Sequence, residues 1–354
     1  MSVVRHVHVA CFVFPCVFVL VLASIGSEVV RSQAPLSRFE LSQPSMGSML
    51  DLVVYASSQQ QAQESMDAGL LELERLSLIL SNYDPTSEIS VLCKTAFNQP
   101  KAVSLDLQIV LQESRRWHAL SVGRFDITVG PLSQLWRSSR KMKTLPASDQ
   151  VAIALKASGW NQIHWVSDAS EGLGQLRISL RSPDSHLDVS GLATGYIIDR
   201  MFEAMIAKGT ESILINAGGD IRVGKAPPCR AGWRVDVAGL GKNAPLFATY
   251  LITDCAVTTS GDLFQYIEID GRRFSHFIDP DTGAPIERRQ SVTVFASTAL
   301  DADAGATALA VMGLELGSEH FDKMPLGKAL LLQVDKSTND IRFRLLGDPQ
   351  YGQP

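Results

Sequence analysis

The chain has 354 residues, 45% hydrophobic and 19% charged, with a formal net charge of −5. That is ordinary globular composition, long enough for one large or two modest domains. The acidic balance and the lack of any long Lys/Arg stripe exclude nucleic acid as the main partner.

The first stretch differs from the rest. Arg5 precedes an apolar run from Val7 to Ile25, followed by the small residues Gly26 and Ser27 and then polar sequence. This is the pattern of a secretory signal peptide or an uncleaved anchor. Residues 1–33 are therefore set apart from a folded region of 34–354, and export is expected. Beyond this leader stand Cys93, Cys229 and Cys255, an odd number without zinc-site spacing. They read as buried small hydrophobes, with one disulfide allowed but not required.

In chain order, Ser45-Met46-Gly47-Ser48 leads into a strand ending at Tyr55. Met66, Leu70, Leu73, Leu76 and Leu80 then mark a helix over Gln59–Leu80. Ser81–Glu88 is a loop feeding a short helix started by Ser87, and Leu107, Val110 and Leu111 mark another that ends near Gly123. Gly123–Leu132 reads as a loop with Phe125 and Trp136 buried, and Gln150–Ala157 as a helix capped by Ser148. Leu176, Ile178 and Leu180 alternate as a strand. Asp188–Tyr196 turns into a helix that stops at Lys208-Gly209.

A strand at Ile213–Ile215 leads to Asn216-Ala217-Gly218-Gly219-Asp220, where paired glycines suit either an anion-binding nest or a hairpin turn. Strands are expected at Trp233–Val237, Phe247–Ile252 and Phe264–Ile269, with Thr258–Asp262 as a hydroxyl-rich turn. Gly271–Pro285 holds one imidazole, His276, and the carboxylates of Asp279 and Asp281 in a loop stiffened by Pro280 and Pro285. Such a set suits phosphate or metal chemistry. After a strand at Ser291–Ala296, a helix ending at Gly313 carries Asp301, Asp303 and Thr307. Residues 303 and 307 share one helix face, and a carboxylate with a hydroxyl fits Mg²⁺ better than Zn²⁺. Ala329–Val334 and Ile341–Leu346 form a closing hairpin.

Taken together and in this order, the motifs resemble the ApbE family of FAD:protein FMN transferases. The elements are Met46-Gly47-Ser48, Ser81–Glu88, Gly123–Leu132, Asp188–Tyr196, Asn216–Asp220, Thr259–Asp262, His276–Pro285 and Ala302–Leu309. The resemblance implies an α+β fold, a single large domain related to the T-fold, with FAD as substrate and Mg²⁺ at its pyrophosphate. It implies metal binding by Asp303, Thr307 and the Gly191 carbonyl. It implies FAD contacts at Met46, Tyr83, Arg124, Phe125, Asp126, Asp188 and Ile278, and a catalytic base at His276.

Thr194 stands where the family usually has a lysine beside the cofactor, and Cys93 where an asparagine is common. The implied acceptor is a Thr or Ser hydroxyl of a flavoprotein subunit in a membrane redox complex. An exported enzyme in the periplasm, or attached to the outer face of the inner membrane, fits such a partner. An FAD pyrophosphatase giving FMN and AMP, and a non-catalytic flavin-binding protein, are the alternatives.

Overall fold

The structure is a computed structural model that describes residues 35–167, 176–240, 245–261, 266–269, 271–335 and 337–348. The apolar leader and its expected role lie outside the described residues.

The folded part opens with a hairpin of β1 (Ser37–Ser45) and β2 (Ser48–Ala56). Its two-residue loop is Met46-Gly47, at φ 48° and 76°, the backbone that closes a short hairpin without splaying twisted strands. α1 (Gln59–Leu80) has the expected bounds, with Ser58 accepting the Gln61 amide as its cap. α2 (Glu88–Thr95) is started by Ser87 as expected, and β3 (Lys101–Ala102) and α3 (Leu105–Leu120) follow.

Gly123–Leu132 is not all loop. A single 3₁₀ turn at residues 127–129 runs into α4 (Gly130–Met142), which carries Trp136. Pro131 lies in the first turn, where a missing N–H has no helical partner to lose. α5 (Ser148–Lys156) is not capped by Ser148, which is its first helical residue. Instead Gln150 reaches back and accepts the Ala147 amide at 3.0 Å. β4 (Ile163–Ser167) and β5 (Leu176–Leu180) join β3 in a small sheet of order β3-β5-β4.

α6 (Ser190–Ile206) precedes the hairpin of β6 (Ser212–Ala217) and β7 (Asp220–Val223). β8 (Trp233–Ala238) and β9 (Leu246–Ile252) pair with each other. The expected turn at Thr258–Asp262 is instead part of a strand, β10 (Cys255–Gly261), running between its two neighbours in the main sheet. Val257, Thr258 and Thr259 favour that extended backbone, and Asp262 lies outside the described residues. β11 (Tyr266–Ile269) and β12 (Arg272–Ser275) form a further hairpin. Phe264, expected in the first of these, is likewise not described.

β13 (Gln290–Ala296), α7 (Ala299–His320), β14 (Lys328–Val334) and β15 (Ile341–Gly347) complete the chain. α7 does not stop at Gly313 but kinks there, at φ 78°, and resumes. Arg288 fills the break, donating to the Ala310 and Val311 carbonyls at 3.2 and 2.6 Å, so the interrupted helix keeps its acceptors satisfied.

Among the described residues the main sheet is antiparallel, in the order β1-β2-β6-β7-β10-β13-β14-β15. Its central strands are apolar on both faces. On β2, Leu50, Leu52 and Val54 face the layer of α1, α6 and α7, while Val53 faces β8 and β9. β14 does the same with Ala329 and Leu331 on one side and Leu330 and Leu332 on the other. The α+β class follows from this layering. Cys93 and Cys255 are buried free thiols, whereas Cys229 is exposed, against expectation.

Candidate active site

A cavity of about 640 Å³ opens where the first turns of α6 and α7 meet the hairpin loops of the main sheet. Every candidate residue lies on its wall. Gly191, Thr194, Asp303 and Thr307 come from the two helices, and Met46, Tyr83, Arg124, Phe125 and Asp126 from loops. Asp188, His276 and Ile278 complete the set.

The helical wall depends on two glycines. A Cβ on Gly195 would lie 2.3 Å from the Ala299 carbonyl oxygen, so only glycine lets α6 approach the start of α7 this closely. The Gly195 amide donates to Asp303 Oδ2 at 3.1 Å, which aims that carboxylate. A Cβ on Gly191 would meet Thr307 at 3.1 Å, placing the first turn of α6 directly against the hydroxyl-bearing residue of α7. Asp199 fixes the α7 N-terminus by accepting the Ala299 and Leu300 amides, each at 2.9 Å. Asp301 points elsewhere, accepting the indole N–H of Trp117 at 3.2 Å and pairing with Arg116.

Facing Asp303 is Asp220, the first residue of β7, opposite Thr258 in register. Burial pushes the carboxyl of Asp220 above its ordinary range, with the Thr258 hydroxyl opposing the shift. Burial also pushes Asp303 well up, and the nearby Asp220 carboxylate pushes it further. Two crowded carboxylates, the Thr307 hydroxyl and the neighbouring Gly191 carbonyl make an all-oxygen donor set. Among the described residues no salt bridge neutralises Asp220 or Asp303. That chemistry fits a small hard divalent cation such as Mg²⁺ rather than Zn²⁺. Among the described residues no group of three or more His, Cys, Asp or Glu side chains gathers as a metal cluster.

Other side chains hold the walls together. Arg124 ties its loop to the His276 segment, pairing with Asp279 at 3.2 Å and Asp281 at 2.5 Å. Those two carboxylates are therefore engaged by an arginine, and the expectation that they serve phosphate or metal chemistry gives way to a clamp. Asp126 caps the 3₁₀ turn, accepting the Thr128 amide and hydroxyl at 2.8 and 2.6 Å, and burial pushes its carboxyl above the ordinary range against the pull of those two bonds. Asp188 accepts from the Ser190 amide at 3.2 Å and pairs with Arg137 at 2.8 Å. Arg137 also lies 5.0 Å from the centre of the exposed Tyr83 ring. His276 is half-buried, its ring 3.9 Å from that of Phe277.

The two glycine turns at the rim are not a free anion nest. The Gly218 amide donates to Met49 O at 3.1 Å and the Gly219 amide to Asn216 Oδ1 at 3.0 Å, so both donors are used within the hairpins. Cys93 does not reach the cavity. Its buried sulfur accepts the Leu187 amide at 3.2 Å, and burial pushes the thiol up to about 11.

Motif reading missed Asp220 as a carboxylate partner, and missed Trp136, Arg137 and Arg140 of α4 as cavity residues. Asp220 stood at the end of a glycine turn, where it reads as a turn residue. For α4, the i, i+4, i+7 spacing of Ser133, Arg137 and Arg140 was a signal that could have found them.

The model of the ApbE family matches residues 46–331. An FAD:protein FMN transferase of Treponema pallidum is 29% identical over 336 residues, 90% of this chain and 91% of its own. One of Chlamydia trachomatis is 30% identical over 256 residues, covering 71% of this chain and 75% of its own. Among solved structures, the flavin transferase ApbE from Vibrio cholerae superposes with a TM-score of 0.75 at 26% identity, covering 88% of this chain and 97% of that one.

Proposed function

This chain belongs to the ApbE family, and on that premise we propose that it moves FMN from FAD to a Thr or Ser hydroxyl of a partner flavoprotein, releasing AMP. One observation carries the reading. The all-oxygen set of Asp303, Thr307, Asp220 and Gly191 shares a single cavity with His276. A phosphoryl transfer needs charge neutralisation at phosphate oxygens and a base for the incoming hydroxyl, and little else from the protein.

Asp303, Thr307 and the Gly191 carbonyl would hold Mg²⁺, with Asp220 as the second carboxylate. When bound, the ion supplies neutralisation of the phosphate oxygens and a template for in-line displacement. His276 takes the proton of the acceptor hydroxyl, a role suited to a group whose ordinary titration lies near neutrality. The N-terminus of α6, with Ser190, Gly191 and Thr194 on the wall, turns its partial positive charge toward a phosphate. Tyr83, Met46, Phe125 and Ile278 offer apolar surface for flavin and adenine rings. Arg124 keeps the His276 loop shut against the Phe125 loop through Asp279 and Asp281. Thr194, in place of a lysine, leaves that part of the wall uncharged.

The acceptor is read as a flavoprotein subunit of a membrane redox complex, outside the cytoplasm, because the leader at residues 1–33 has the form of an export signal or anchor. Cell fractionation with an antibody to the folded region tests the location, and a purely cytoplasmic protein would refute it. Activity is tested with purified protein, FAD and Mg²⁺, with and without a threonine-bearing acceptor, by following AMP. AMP that requires the acceptor, with flavin bound covalently to it, supports transfer. AMP without acceptor supports the pyrophosphatase instead, and bound FAD with no AMP supports a carrier.

A further inference from the structure

One stripe of α4 turns polar side chains into the cavity that the mechanism above does not use. Ser133, Arg137 and Arg140 follow i, i+4, i+7 spacing, and all three line the wall. The neighbouring apolar stripe, with Leu132 and Leu135, packs on Ile278 and residues of α5, which fixes the rotation of the helix.

The three cavity arginines differ in their partners. Arg124 is neutralised by Asp279 and Asp281, and Arg137 by Asp188. Arg140 has no ion pair among the described residues, and its Nε is buried without a hydrogen-bond partner. A guanidinium cannot shed its charge to relieve this, and a buried donor left unmade is costly. A ligand that brings an anion relieves both. Position narrows which anion. The carboxylate pair and the α6 N-terminus mark where the transferred phosphate sits, Asp188 lies just before that N-terminus, and Arg137 grips Asp188. Arg140 is three residues further along α4, a rise of about 4.5 Å, a short step along a diphosphate.

We propose that Arg140 is the recognition residue for the adenosine-side phosphate of the dinucleotide and stays with it as it leaves. This deepens the transferase reading and rests on it. As the acceptor oxygen bonds to the FMN phosphorus, its proton passes to His276. The bond from that phosphorus to the bridging oxygen breaks, and the electron pair remains on the oxygen. AMP thus departs with one more negative charge than it carried within FAD. A fixed guanidinium aimed at that oxygen meets charge that appears only as the bond breaks.

The test uses the full chain and its Arg140→Gln and Arg140→Lys variants, each first shown to melt cooperatively. Equilibrium binding of FAD, AMP and FMN is measured separately with Mg²⁺ present, and KM for the acceptor is measured alongside. The expected result for Arg140→Gln is at least tenfold weaker binding of AMP and FAD with FMN unchanged, and an intermediate loss for Arg140→Lys. Should Arg140→Gln not fold, the lysine variant carries the comparison. Equal weakening of FMN, a change confined to acceptor KM, or no change overturns the assignment. Failure of the unaltered protein to bind either FAD or AMP would instead sink the transferase reading itself, a distinct outcome.

Discussion

Replacing Gly195 by alanine tests whether the contact between α6 and α7 builds the proposed metal site. The new Cβ would lie 2.3 Å from the Ala299 oxygen, 2.6 Å from its carbonyl carbon and 2.8 Å from the Leu300 Cα. Ordinary contacts are about 3.5 Å, so backbone must move by roughly 1 Å, with no flexible side chain to give way. Overpacking of this kind costs about 1–3 kcal/mol, and a backbone clash belongs at the upper end or beyond. Alanine's better helix propensity returns about 1 kcal/mol. A net loss of roughly 2–3 kcal/mol follows.

For a domain of roughly 300 residues the unfolding entropy makes 1 kcal/mol worth about 1.5 °C, so Tm should fall by about 3–5 °C. The shift also displaces the Ala299 and Leu300 amides from Asp199, and stretches the 3.1 Å bond that aims Asp303. The Tm gain on adding Mg²⁺ should therefore shrink as well. Gly69→Ala is the control, because the tight contact of its Cβ would be with the flexible Met205 side chain at 3.0 Å, the Met201 carbonyl oxygen lying at an ordinary 3.7 Å. It should change stability by less than about 1 kcal/mol and leave the Mg²⁺ response alone. Thermal melts of both variants with and without Mg²⁺ decide the matter. A Gly195→Ala protein that melts and responds to Mg²⁺ like the parent would refute the reasoning.

Other outcomes follow from the carboxylate pair and the base. The Asp220 carboxyl is held at about 6 by burial, above the ~3.9 of an unfolded aspartate. The folded metal-free protein thus binds this proton more tightly than the unfolded chain. The resulting stability is complete below pH ~4 and is lost as pH rises through about 6, on the order of 3 kcal/mol. Melts in chelator at pH 5 and pH 8 should show this decline, and Mg²⁺ should raise Tm more at pH 8; a flat metal-free profile would contradict it. Asp303→Asn removes the crowding, so its metal-free form should be at least as stable as the parent at pH 8 while Mg²⁺ no longer shifts Tm. His276→Ala should lower kcat by about 10²–10⁴-fold with FAD affinity retained. Loss of FAD binding at unchanged kcat would assign His276 to binding instead.

The sequence by itself determined the parts whose physics is local. The Met66-to-Leu80 stripe and the Ser87 cap set α1 and α2, because helix period and cap chemistry are properties of consecutive residues. The resemblance to the ApbE family supplied most of the twelve candidate residues, and all twelve lie on one cavity wall; spacing and turn chemistry alone pointed only to the His276 loop and the shared face of Asp303 and Thr307. Tertiary structure decided what lies between chain-distant atoms. Thr258–Gly261 looked like a turn because hydroxyls and glycine suit one, yet pairing with β7 and β13 makes it a central strand. Asp279 and Asp281 looked like ligands until Arg124, more than 150 positions earlier, claimed both. Asp220 became half of a carboxylate pair only when the main sheet set it against Asp303 of α7, and no spacing along the chain encodes that distance. The amides of Gly218 and Gly219 were free to bind an anion until β2 and Asn216 took them. Periodicity fixes which face a residue occupies on its own element, but charge and hydrogen-bond partners depend on which elements the fold packs together.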